Sequence, residues 1–594
     1  MNRLLPLFIF ICFTKQLLAQ KSSIYSISFD NAVHHEAQIN VKFSNLKSEG
    51  VEFRMARSSP GRYALHEFAK NVYNVKVTDS KGNVLKATRP DPYSWHVTGH
   101  DGMINVSYTL FANRGDGTYA QVDETHAHLN IPATFIYVPE LSEEGIEVTF
   151  NVREDLNWKV ATQLKHETGN TYYAKDLQYF MDSPIEISNF KKRSFQVDNQ
   201  TINFVLHDDD ASDENLDQYM ESVKKLVLQE KEVFGELPAY DYGEYTFLAC
   251  YMPNASGDGM EHRNSTVIAS TRSLSFGGIQ ENIGTVSHEF FHCWNVERIR
   301  PKALEPFDFT KVNMSGELWF AEGFTNYFDA LSLCRTGIWT QDKYLEDMQS
   351  TFNKVWTSPG RTFFNPIEMS YQAPFVDAAN SIDETNRENT YISYYFYGEM
   401  LGLALDLSLR EINLNLDDYM KLVWNSYGKI GTYYTVEDLK NTLAEYAGKD
   451  FANSFFDNYI YKSEMPDFER LFKNVGIELK LDGNNIAFGA DVLNQKIMTN
   501  PKIGSTAYEY GFQKEDRILK IGAFNLNEVV TFDRVLSKFN VGDKVKITYL
   551  RYNNVDEVEV NIKPEIKYYL SIIDKEKTTD KMAQNRLLWL HAKQ

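Results

Sequence analysis

The chain has 594 residues, of which 43% are hydrophobic and 14% aromatic, so it can bury several hydrophobic cores and is not a disordered chain. Its formal net charge of -20 argues against a nucleic-acid or anionic-membrane partner, because such a partner requires a basic face. A chain of this length is expected to form about two to four domains.

The N-terminus has the pattern of a signal peptide, predicted over residues 1–19. Arg3 supplies the positive charge, and residues 4–13 form an apolar run that is too short to span a bilayer. The sequence Leu-Leu-Ala at residues 17–19 offers a cleavage site. We therefore expect the mature protein to be exported, to the periplasm or the medium. An uncleaved anchor is the alternative, and no later stretch has the length and apolarity of a membrane span.

Residues 20–195 are predicted to form an all-β, sandwich-like domain. Residues 23–29, 37–43 and 146–152 alternate between apolar and polar side chains, which is typical of strands with one buried face. Turn signals recur between them. The mature chain retains Cys250, Cys293 and Cys334, too few for a disulfide framework, although one bridge could form.

Residues 196–465 are predicted to form a mainly helical domain. An acidic run over residues 208–214 is interpreted as a helix start, since acidic side chains favour the positive end of the helix dipole, rather than as a metal site. Further helices are predicted over 281–296, 316–335, 391–410, 416–427, 435–447 and 450–462. Residues 355–390 contain many loop formers and predict a long irregular connection. From about 470 to 565 short strands and turns return, and 566–594 is expected to be a C-terminal tail.

The strongest chemical signal is the segment His288-Glu289-Phe290-Phe291-His292. Histidines at positions i and i+4 of a helix project from one face and can bind one zinc ion. The intervening Glu289 can then take a proton from a water whose pKa the zinc has lowered to about 7. The apolar neighbours indicate a buried helix, where uncompensated histidines would be costly. This segment predicts a catalytic zinc site with Glu289 as general base.

A catalytic zinc ion usually has three protein ligands and one open position. Within the helix predicted over 316–335, residues 318–328 are strongly apolar and contain one acid, Glu322, near their centre. A lone acid among Trp and Phe is costly unless it is paired or bound to a metal, so Glu322 is the predicted third ligand. Glu317 and Asp329 are the alternatives, although each also fits an ordinary acid on a helix surface.

These residues resemble the gluzincin superfamily of zinc peptidases, which includes aminopeptidase N, and more closely its glycyl aminopeptidase family, whose members carry a PDZ domain. The resemblance lies in residues 288–301, residues 319–324 and Ser58-Ser59-Pro60-Gly61-Arg62-Tyr63. It covers nearly the whole mature chain. It implies a thermolysin-like catalytic domain and hydrolysis of the first peptide bond of a peptide, with small first residues such as Gly or Ala.

Two further segments acquire roles only through this resemblance. Gly259-Met260-Glu261-His262 is similar to the GAMEN loop of aminopeptidase N, which implies that these four residues bind the substrate and that Glu261 binds its free α-amine. Tyr394-Tyr395-Phe396-Tyr397-Gly398 is similar to the YxKG segment. The match implies that Tyr395 donates to the oxyanion, with Tyr394 as the alternative, although Tyr397 replaces the lysine.

Residues 470–565 resemble a PDZ domain in their Gly504–Tyr508 turn and in the strand at Asp516–Gly522. A PDZ domain can bind a peptide by adding it as a strand. No carboxylate-binding loop is clear in this segment, so ligand binding and a purely packing role both remain open.

The sequence thus predicts a zinc aminopeptidase with one zinc ion per chain and peptide substrates. A zinc endopeptidase is one alternative, in which Glu261 has another task. A catalytically silent peptide-binding protein that works through the PDZ-like domain is another, although every catalytic residue type is present. Blocking the α-amine of the substrate distinguishes the aminopeptidase from the endopeptidase, because blocking stops only the aminopeptidase.

Overall fold

The computed structural model describes residues 21–376 and 383–592. The predicted signal peptide, residues 1–19, lies outside the described residues. Contacts divide the described chain into two compact units. The first runs up to Ala56 and also contains Glu67–Asn113 and Tyr119–Asn189, whereas the second contains Arg57–His66, Arg114–Thr118 and the chain from Phe190 onwards.

The first unit is built mainly from β-strands, which confirms the predicted β-rich N-terminal domain. In its first strand Tyr25, Ile27 and Phe29 are buried while the residues between them are partly exposed, because successive side chains of a strand point to opposite faces. The strands are β1 (Lys21–Asn31), β2 (Glu36–Ser44), β3 (Gly50–Arg54), β4 (Val72–Thr78), β5 (Ala87–Thr88), β6 (Ser94–Thr98), β7 (Met103–Phe111), β8 (Gln121–Val122), β9 (His126–Leu129), β10 (Gly145–Asn151), β11 (Lys159–Thr162), β12 (Lys165–Thr168), β13 (Thr171–Ala174) and β14 (Ile185–Ser188).

These strands form three sheets, with the orders β12-β13-β10-β1-β2-β7-β4, β11-β14-β9-β8 and β3-β6-β5. In the largest sheet, Tyr25 of β1 lies opposite Val41 of the antiparallel β2 and opposite Val148 of the parallel β10. Two short helices, α1 (Ile131–Thr134) and α2 (Leu177–Met181), complete the unit.

The second unit begins with a five-stranded sheet. Its strands are β15 (Lys191–Val197), β16 (Gln200–His207), β17 (Glu244–Tyr251), β18 (Asp258–His262) and β19 (Ser265–Ser270). Their order is β15-β16-β17-β19-β18, so β18 forms one edge and pairs antiparallel with β19. Helix α3 (Asp213–Phe234) starts within the acidic run, as predicted, with Ser212 and Asn215 forming a capping box.

Helices make up most of the remaining catalytic region, as predicted. They are α4 (Gly278–Glu281), α5 (Ile283–Phe291), α6 (Leu318–Ala321), α7 (Gly323–Arg335), α8 (Gln341–Trp356), α9 (Pro366–Ser370), α10 (Ala373–Val376), α11 (Arg387–Thr390), α12 (Tyr394–Glu411), α13 (Leu416–Val423), α14 (Val436–Ala447), α15 (Lys449–Phe455) and α16 (Phe468–Asn474). The connection predicted to be irregular over 355–390 contains the short helices α9, α10 and α11, and residues 377–382 lie outside the described residues.

Two predicted helices differ from the structure where the site lies. The helix expected over 281–296 ends at Phe291, and the helix expected over 316–335 is broken at Glu322 into α6 and α7. Periodicity of apolar residues does not reveal such breaks, because the apolar pattern continues across them.

The C-terminal part is a β-rich module, which confirms the predicted fold class. Its elements are β20 (Ile477–Ile486), β21 (Val492–Leu493), β22 (Lys496–Ile497), α17 (Thr506–Glu509), β23 (Arg517–Ile521), β24 (Phe524–Asn525), α18 (Phe532–Leu536), β25 (Lys544–Arg551), β26 (Asn554–Asn561), β27 (Pro564–Ile572) and α19 (Asp580–Leu590). The module has its own core, in which Phe488, Ile518 and Ile547 are buried.

The segment expected to be a tail, 566–594, contains most of β27 and the whole of α19. Strand β27 pairs with β20, and Trp589 near the end of α19 is fully buried in the core of the catalytic region. Cys250, Cys293 and Cys334 are buried, and among the described residues they form no disulfide bond. Within the described residues no helix combines the length and apolarity needed to cross a membrane.

Candidate active site

Helix α5 brings the two predicted histidine ligands together at its C-terminal end. His288 lies in the last turn, and His292 follows the helix with helical backbone angles (φ -62°, ψ -15°), so the i, i+4 relationship is kept although the helix itself ends at Phe291. The Nε2 atoms of the two imidazoles are 3.0 Å apart.

Asn295 links this end of α5 to the helices that carry Glu322. Its side-chain amide donates to the carbonyl groups of Phe320 and Ala321, at 3.0 and 3.1 Å. Its own carbonyl accepts a hydrogen bond from Nδ1 of His292 at 2.5 Å. Asn295 is fully buried, and the two carbonyls lie at the break between α6 and α7. One asparagine thus sets the orientation of His292 and the position of the break that presents Glu322.

Glu322 completes a group of three acceptor atoms. Its Oε2 lies 3.2 Å from Nε2 of His292 and 3.8 Å from Nε2 of His288. Each histidine can donate its Nδ1 proton to an oxygen that only accepts, since His288 Nδ1 lies 2.8 Å from the Asp329 carboxylate and His292 Nδ1 bonds the Asn295 carbonyl. In the neutral rings both Nε2 atoms are then bare acceptors. Three acceptor atoms this close together repel one another unless a cation lies between them.

The distances fit a small tetrahedral metal ion. An ion with bonds of about 2.0–2.1 Å separates its donor atoms by roughly 3.3 Å. The separations here are 3.0, 3.2 and 3.8 Å. The electrostatics also favour a cation. Burial lowers the pKa of His292, but the charges of Glu322 and Glu261 outweigh that effect and raise it to about 9.

The alternative ligands take other positions. Asp329 bonds Nδ1 of His288 and therefore lies behind a candidate ligand, where a carboxylate fixes the tautomer and orientation of the ring. Glu317 accepts hydrogen bonds from Ser315 Oγ (2.6 Å) and from the backbone of Val436 (3.1 Å), and it is not part of the three-acceptor group.

Glu289 faces the same space from the neighbouring position on α5. Its Oε2 is buried and has no hydrogen-bond partner among the described residues. Burial raises the pKa of Glu289, and Glu261 adds to the shift, although the two histidines oppose it. A carboxylate whose pKa is raised to about 7, and which has an oxygen without a hydrogen-bond partner, is suited to accept a proton.

Strand β18 places Glu261 beside Glu289. One ligand atom from each of Glu261, Glu289 and His292 lies within 4.8 Å of the others. Glu261 is 6% exposed, and its Oε1 is buried without a hydrogen-bond partner among the described residues. The neighbours Met260 and His262 are buried in the sheet. Two buried carboxylates therefore flank the candidate metal site on one side.

Close helix packing brings Tyr395 to another side of the site. A β-carbon on Gly398 of α12 would lie 1.8 Å from the carbonyl oxygen of Trp319, and one on Gly323 would lie 2.2 Å from the α-carbon of Gly398. Only glycines allow α12 to approach α6 and α7 so closely. Tyr395, one helical turn before Gly398, then lies with its ring 5.9 Å from the ring of His288.

The alternative tyrosine, Tyr394, is 1% exposed and packs in an apolar cluster with Leu318 and Ala321. Tyr395 is only partly buried and contacts this cluster from outside. Burial raises the pKa of Tyr395 and nearby Glu322 adds to the shift, so the phenol keeps its proton at neutral pH and can donate it in a hydrogen bond.

A cavity of about 300 Å³ opens beside the candidate ligands. It is lined by Gly284, Thr285, His288, Glu289, Asp329, Leu333 and Trp339. A cavity of this size, with two apolar side chains and a few polar groups, is at the lower end of the range for small-molecule sites.

Three segments of the chain match models of known families. Residues 24–189 match the Peptidase M61 N-terminal domain, residues 281–401 match the M61 glycyl aminopeptidase domain, and residues 474–562 match a PDZ domain. The chain contains the N-terminal and catalytic domains of the M61 glycyl aminopeptidase family. This confirms the family predicted from the sequence and identifies the protein as a peptidase. Residues 474–562 of the C-terminal part form its PDZ domain.

One solved structure extends the likeness of this M61 peptidase to the whole fold. An aminopeptidase N family protein from Idiomarina loihiensis has a TM-score of 0.84 and 23% identity, over 96% of this chain and 100% of that one. An M1 zinc metallopeptidase variant from Deinococcus radiodurans, bound to a Tyr-Ser-Ala substrate, has a TM-score of 0.44 and 11% identity over 75% and 96% of the two chains. Yeast LTA4 hydrolase in complex with bestatin has a TM-score of 0.44 and 14% identity, over 77% of this chain and 70% of that one. A comparison with curated proteins gives no match.

Sequence reasoning gave no role to several residues that line this site in the M61 peptidase. Arg62 pairs with Asp258 and donates to the carbonyl of Gly259 at 3.1 Å, next to Glu261. Tyr63 donates its hydroxyl proton to Glu322. The similarity of residues 58–63 to the family signature was the available signal. It did not indicate which elements those residues contact.

Proposed function

We propose that this M61 peptidase is a zinc-dependent aminopeptidase that removes N-terminal residues, small ones such as Gly or Ala, from peptides. The observation that carries the proposal is the pair of buried carboxylates beside the candidate metal site. Glu289 and Glu261 both have an oxygen without a hydrogen-bond partner among the described residues, and both approach His292. Two such carboxylates are costly unless each serves a cation or a proton transfer.

His288, His292 and Glu322 would hold the zinc ion. When bound, it would polarise the scissile carbonyl group and lower the pKa of a water molecule. Glu289 accepts the proton of the attacking water and passes it to the leaving amine. Tyr395 donates a hydrogen bond to the developing oxyanion, which is consistent with its raised pKa and its position beside His288.

Glu261 binds the free α-amine of the substrate. An ammonium group pairs well with a carboxylate that is buried and held in place, because the interaction is less screened there than in water. Glu261 lies on a paired strand rather than on a loose loop, so its distance from the catalytic carboxylate is set by the sheet. A fixed acid at this distance selects substrates with a free N-terminus and favours cleavage of the first peptide bond.

The other parts of the proposal concern location and the PDZ domain. The signal-peptide pattern of residues 1–19 supports export to the periplasm or the medium. PDZ domains bind peptide ends, so this PDZ domain would provide a second peptide-binding site. The alternative is a PDZ domain that only packs against the rest of the chain.

Blocking the α-amine of the substrate distinguishes an aminopeptidase from an endopeptidase. Purified protein is assayed with an Ala-Ala-Phe peptide and with its N-acetylated form, and products are identified by mass spectrometry. We expect release of free alanine from the first peptide only. We also expect Glu261→Gln to lower kcat/KM for the free peptide by about a hundredfold, as the loss of a buried charge pair implies.

Glu244→Gln is the matched control, because Glu244 is an exposed acid on β17 of the same sheet. Equal cleavage of the acetylated peptide would favour the endopeptidase alternative, and no turnover of either peptide would favour a peptide-binding protein.

A further inference from the structure

The segment Arg57–His66 precedes the catalytic region by more than a hundred residues, yet it is part of the same compact unit. It contains Tyr63, which has no assigned role in the proposed reaction. Tyr63 is 3% exposed and packs in the apolar cluster with Val296, Leu318 and Tyr394. Its ring is therefore held in one orientation next to the break between α6 and α7.

The two oxygens of Glu322 have different environments. Oε2 faces the histidines, 3.2 Å from Nε2 of His292. Oε1 accepts the hydroxyl proton of Tyr63 at 2.6 Å in a fully buried hydrogen bond. A carboxylate can only accept, so the phenol is the donor. Tyr63 thus satisfies one oxygen and leaves the other for a metal ion.

We propose that Tyr63 is a positioning residue for the metal centre, which holds Glu322 so that this ligand offers a single oxygen to the ion. The inference rests on the proposed zinc site. A carboxylate without such a partner can rotate or bind a metal through both oxygens. Binding through both would use the position that a substrate oxygen needs in a catalytic site. Hydrogen-bonded partners of ligands typically change metal affinity by about 10–100-fold when removed.

The arrangement also explains why a tyrosine from the N-terminal region belongs to the catalytic unit. Gly61, two residues earlier, has a positive φ of 75°, and a β-carbon there would lie 2.9 Å from Oε2 of Glu261. The segment therefore contacts the proposed amine-binding carboxylate and the proposed metal ligand at once. Tyr63 acts on the second of these through one hydrogen bond.

The test compares Tyr63→Phe with Tyr419→Phe. Tyr419 is also buried in this unit, and its hydroxyl donates to the carbonyl of Leu439 at 2.9 Å, away from the site. Zinc affinity of each purified variant is measured by competition with a chromogenic chelator. We expect Tyr63→Phe to bind zinc about 10–100-fold more weakly than the wild type, and Tyr419→Phe to bind it with unchanged affinity.

Two further readouts distinguish positioning from a structural effect. Thermal unfolding of the metal-free variants in EDTA should show both folded. The visible absorption of the cobalt(II)-substituted protein reports the number of ligands. The wild type should give the intense bands of a four-ligand site, and Tyr63→Phe should give weaker ones. Even if the variant does not fold, the wild-type spectrum tests whether Glu322 offers a single oxygen to the metal ion.

The inference is wrong if folded Tyr63→Phe binds zinc as tightly as Tyr419→Phe, or if the wild-type cobalt spectrum has the weak bands of five or six ligands. Failure of the proposed function would look different. A wild-type protein that binds no zinc would remove the metal site itself, whereas zinc bound equally by wild type and Tyr63→Phe would remove only the role of Tyr63.

Discussion

Gly259 lies so close to Glu289 that a β-carbon on the glycine would be 2.0 Å from Oε1 of the carboxylate. The strand that carries Glu261 therefore packs directly against the proposed general base. Because the contact involves the backbone of β18, the positions of the amine-binding carboxylate and the base depend on each other. The resemblance to the GAMEN loop predicted that Gly259 binds substrate, but it did not indicate that this glycine packs against Glu289.

Gly259→Ala should displace the carboxylate of Glu289. Gly259 is not one of the glycines with positive φ, so alanine is compatible with the backbone and the effect is steric. We expect kcat to fall by about a hundredfold, as for displacements of about 1 Å at an active site, with zinc content unchanged.

Gly257→Ala is the control for this substitution, because a β-carbon there has no heavy atom within 4 Å. Steady-state kinetics and metal analysis of both variants make the comparison. Equal activity of the two variants would show that Glu289 does not need its observed position.

Arg62→Lys should weaken substrate binding at the amine end. The guanidinium group bonds Asp258, the Gly259 carbonyl at 3.1 Å and the Thr118 hydroxyl at 2.6 Å, and a lysine cannot make all three bonds. We expect the KM for free-amine peptides to rise roughly tenfold.

Arg263→Lys serves as the control, since Arg263 pairs with Asp241 at a more exposed position. If the KM rises equally in both variants, the effect is not specific to the strand end that Arg62 holds.

Trp589→Ala should strongly destabilise the catalytic region. The indole is fully buried, donates to the Tyr327 hydroxyl at 2.9 Å, and its backbone carbonyl accepts from Arg335 at 3.1 Å. Loss of a buried aromatic side chain costs about 3–5 kcal/mol. Leu588→Ala, at a residue 62% exposed, should change stability by less than about 0.5 kcal/mol. Urea unfolding measures both, and equal transition midpoints would contradict a structural role for α19.

Glu230→Gln should change how stability depends on pH. Glu230 is fully buried behind α5, where it accepts from Ser287 Oγ at 2.8 Å, and burial raises its pKa well above the usual value near 4.5. Because the folded-state pKa is raised, its contribution to stability is complete below the unfolded pKa and is lost as pH rises through the folded one.

The wild type should therefore lose stability relative to Glu230→Gln over the pH range above the usual glutamate pKa of 4.5. Glu232→Gln, at an exposed position on the same helix, should follow the wild type. Thermal unfolding across this pH range makes the comparison, and parallel curves for all three proteins would refute the burial argument.

The proposed ligands could be predicted from the sequence because their signals are local. Residues four apart on a helix share a face, so His288 and His292 had to meet if the helix formed. Glu322 was predicted because a lone acid in an apolar helix needs a partner. The β-rich, helical and β-rich order of the fold followed from the change in periodicity along the chain.

The supporting residues could not be predicted in the same way, because their partners are distant in sequence. Tyr63 and Glu322 are 259 residues apart, and Arg335 meets Trp589 over 254 residues. The break at Glu322 depends on Asn295 and on the crossing of Gly323 with Gly398, which are tertiary contacts. Asp329 was considered as a ligand, yet its place behind His288 emerges only when α5 packs on α7.

The most direct test of the central claim is metal content measured together with activity for the wild type and Glu289→Gln. We predict one zinc ion per chain in both proteins, release of the first residue from alanyl and glycyl chromogenic amides by the wild type, and loss of at least about a hundredfold in kcat in the variant. A wild-type protein that lacks zinc, or a Glu289→Gln variant that retains full activity, would contradict the account.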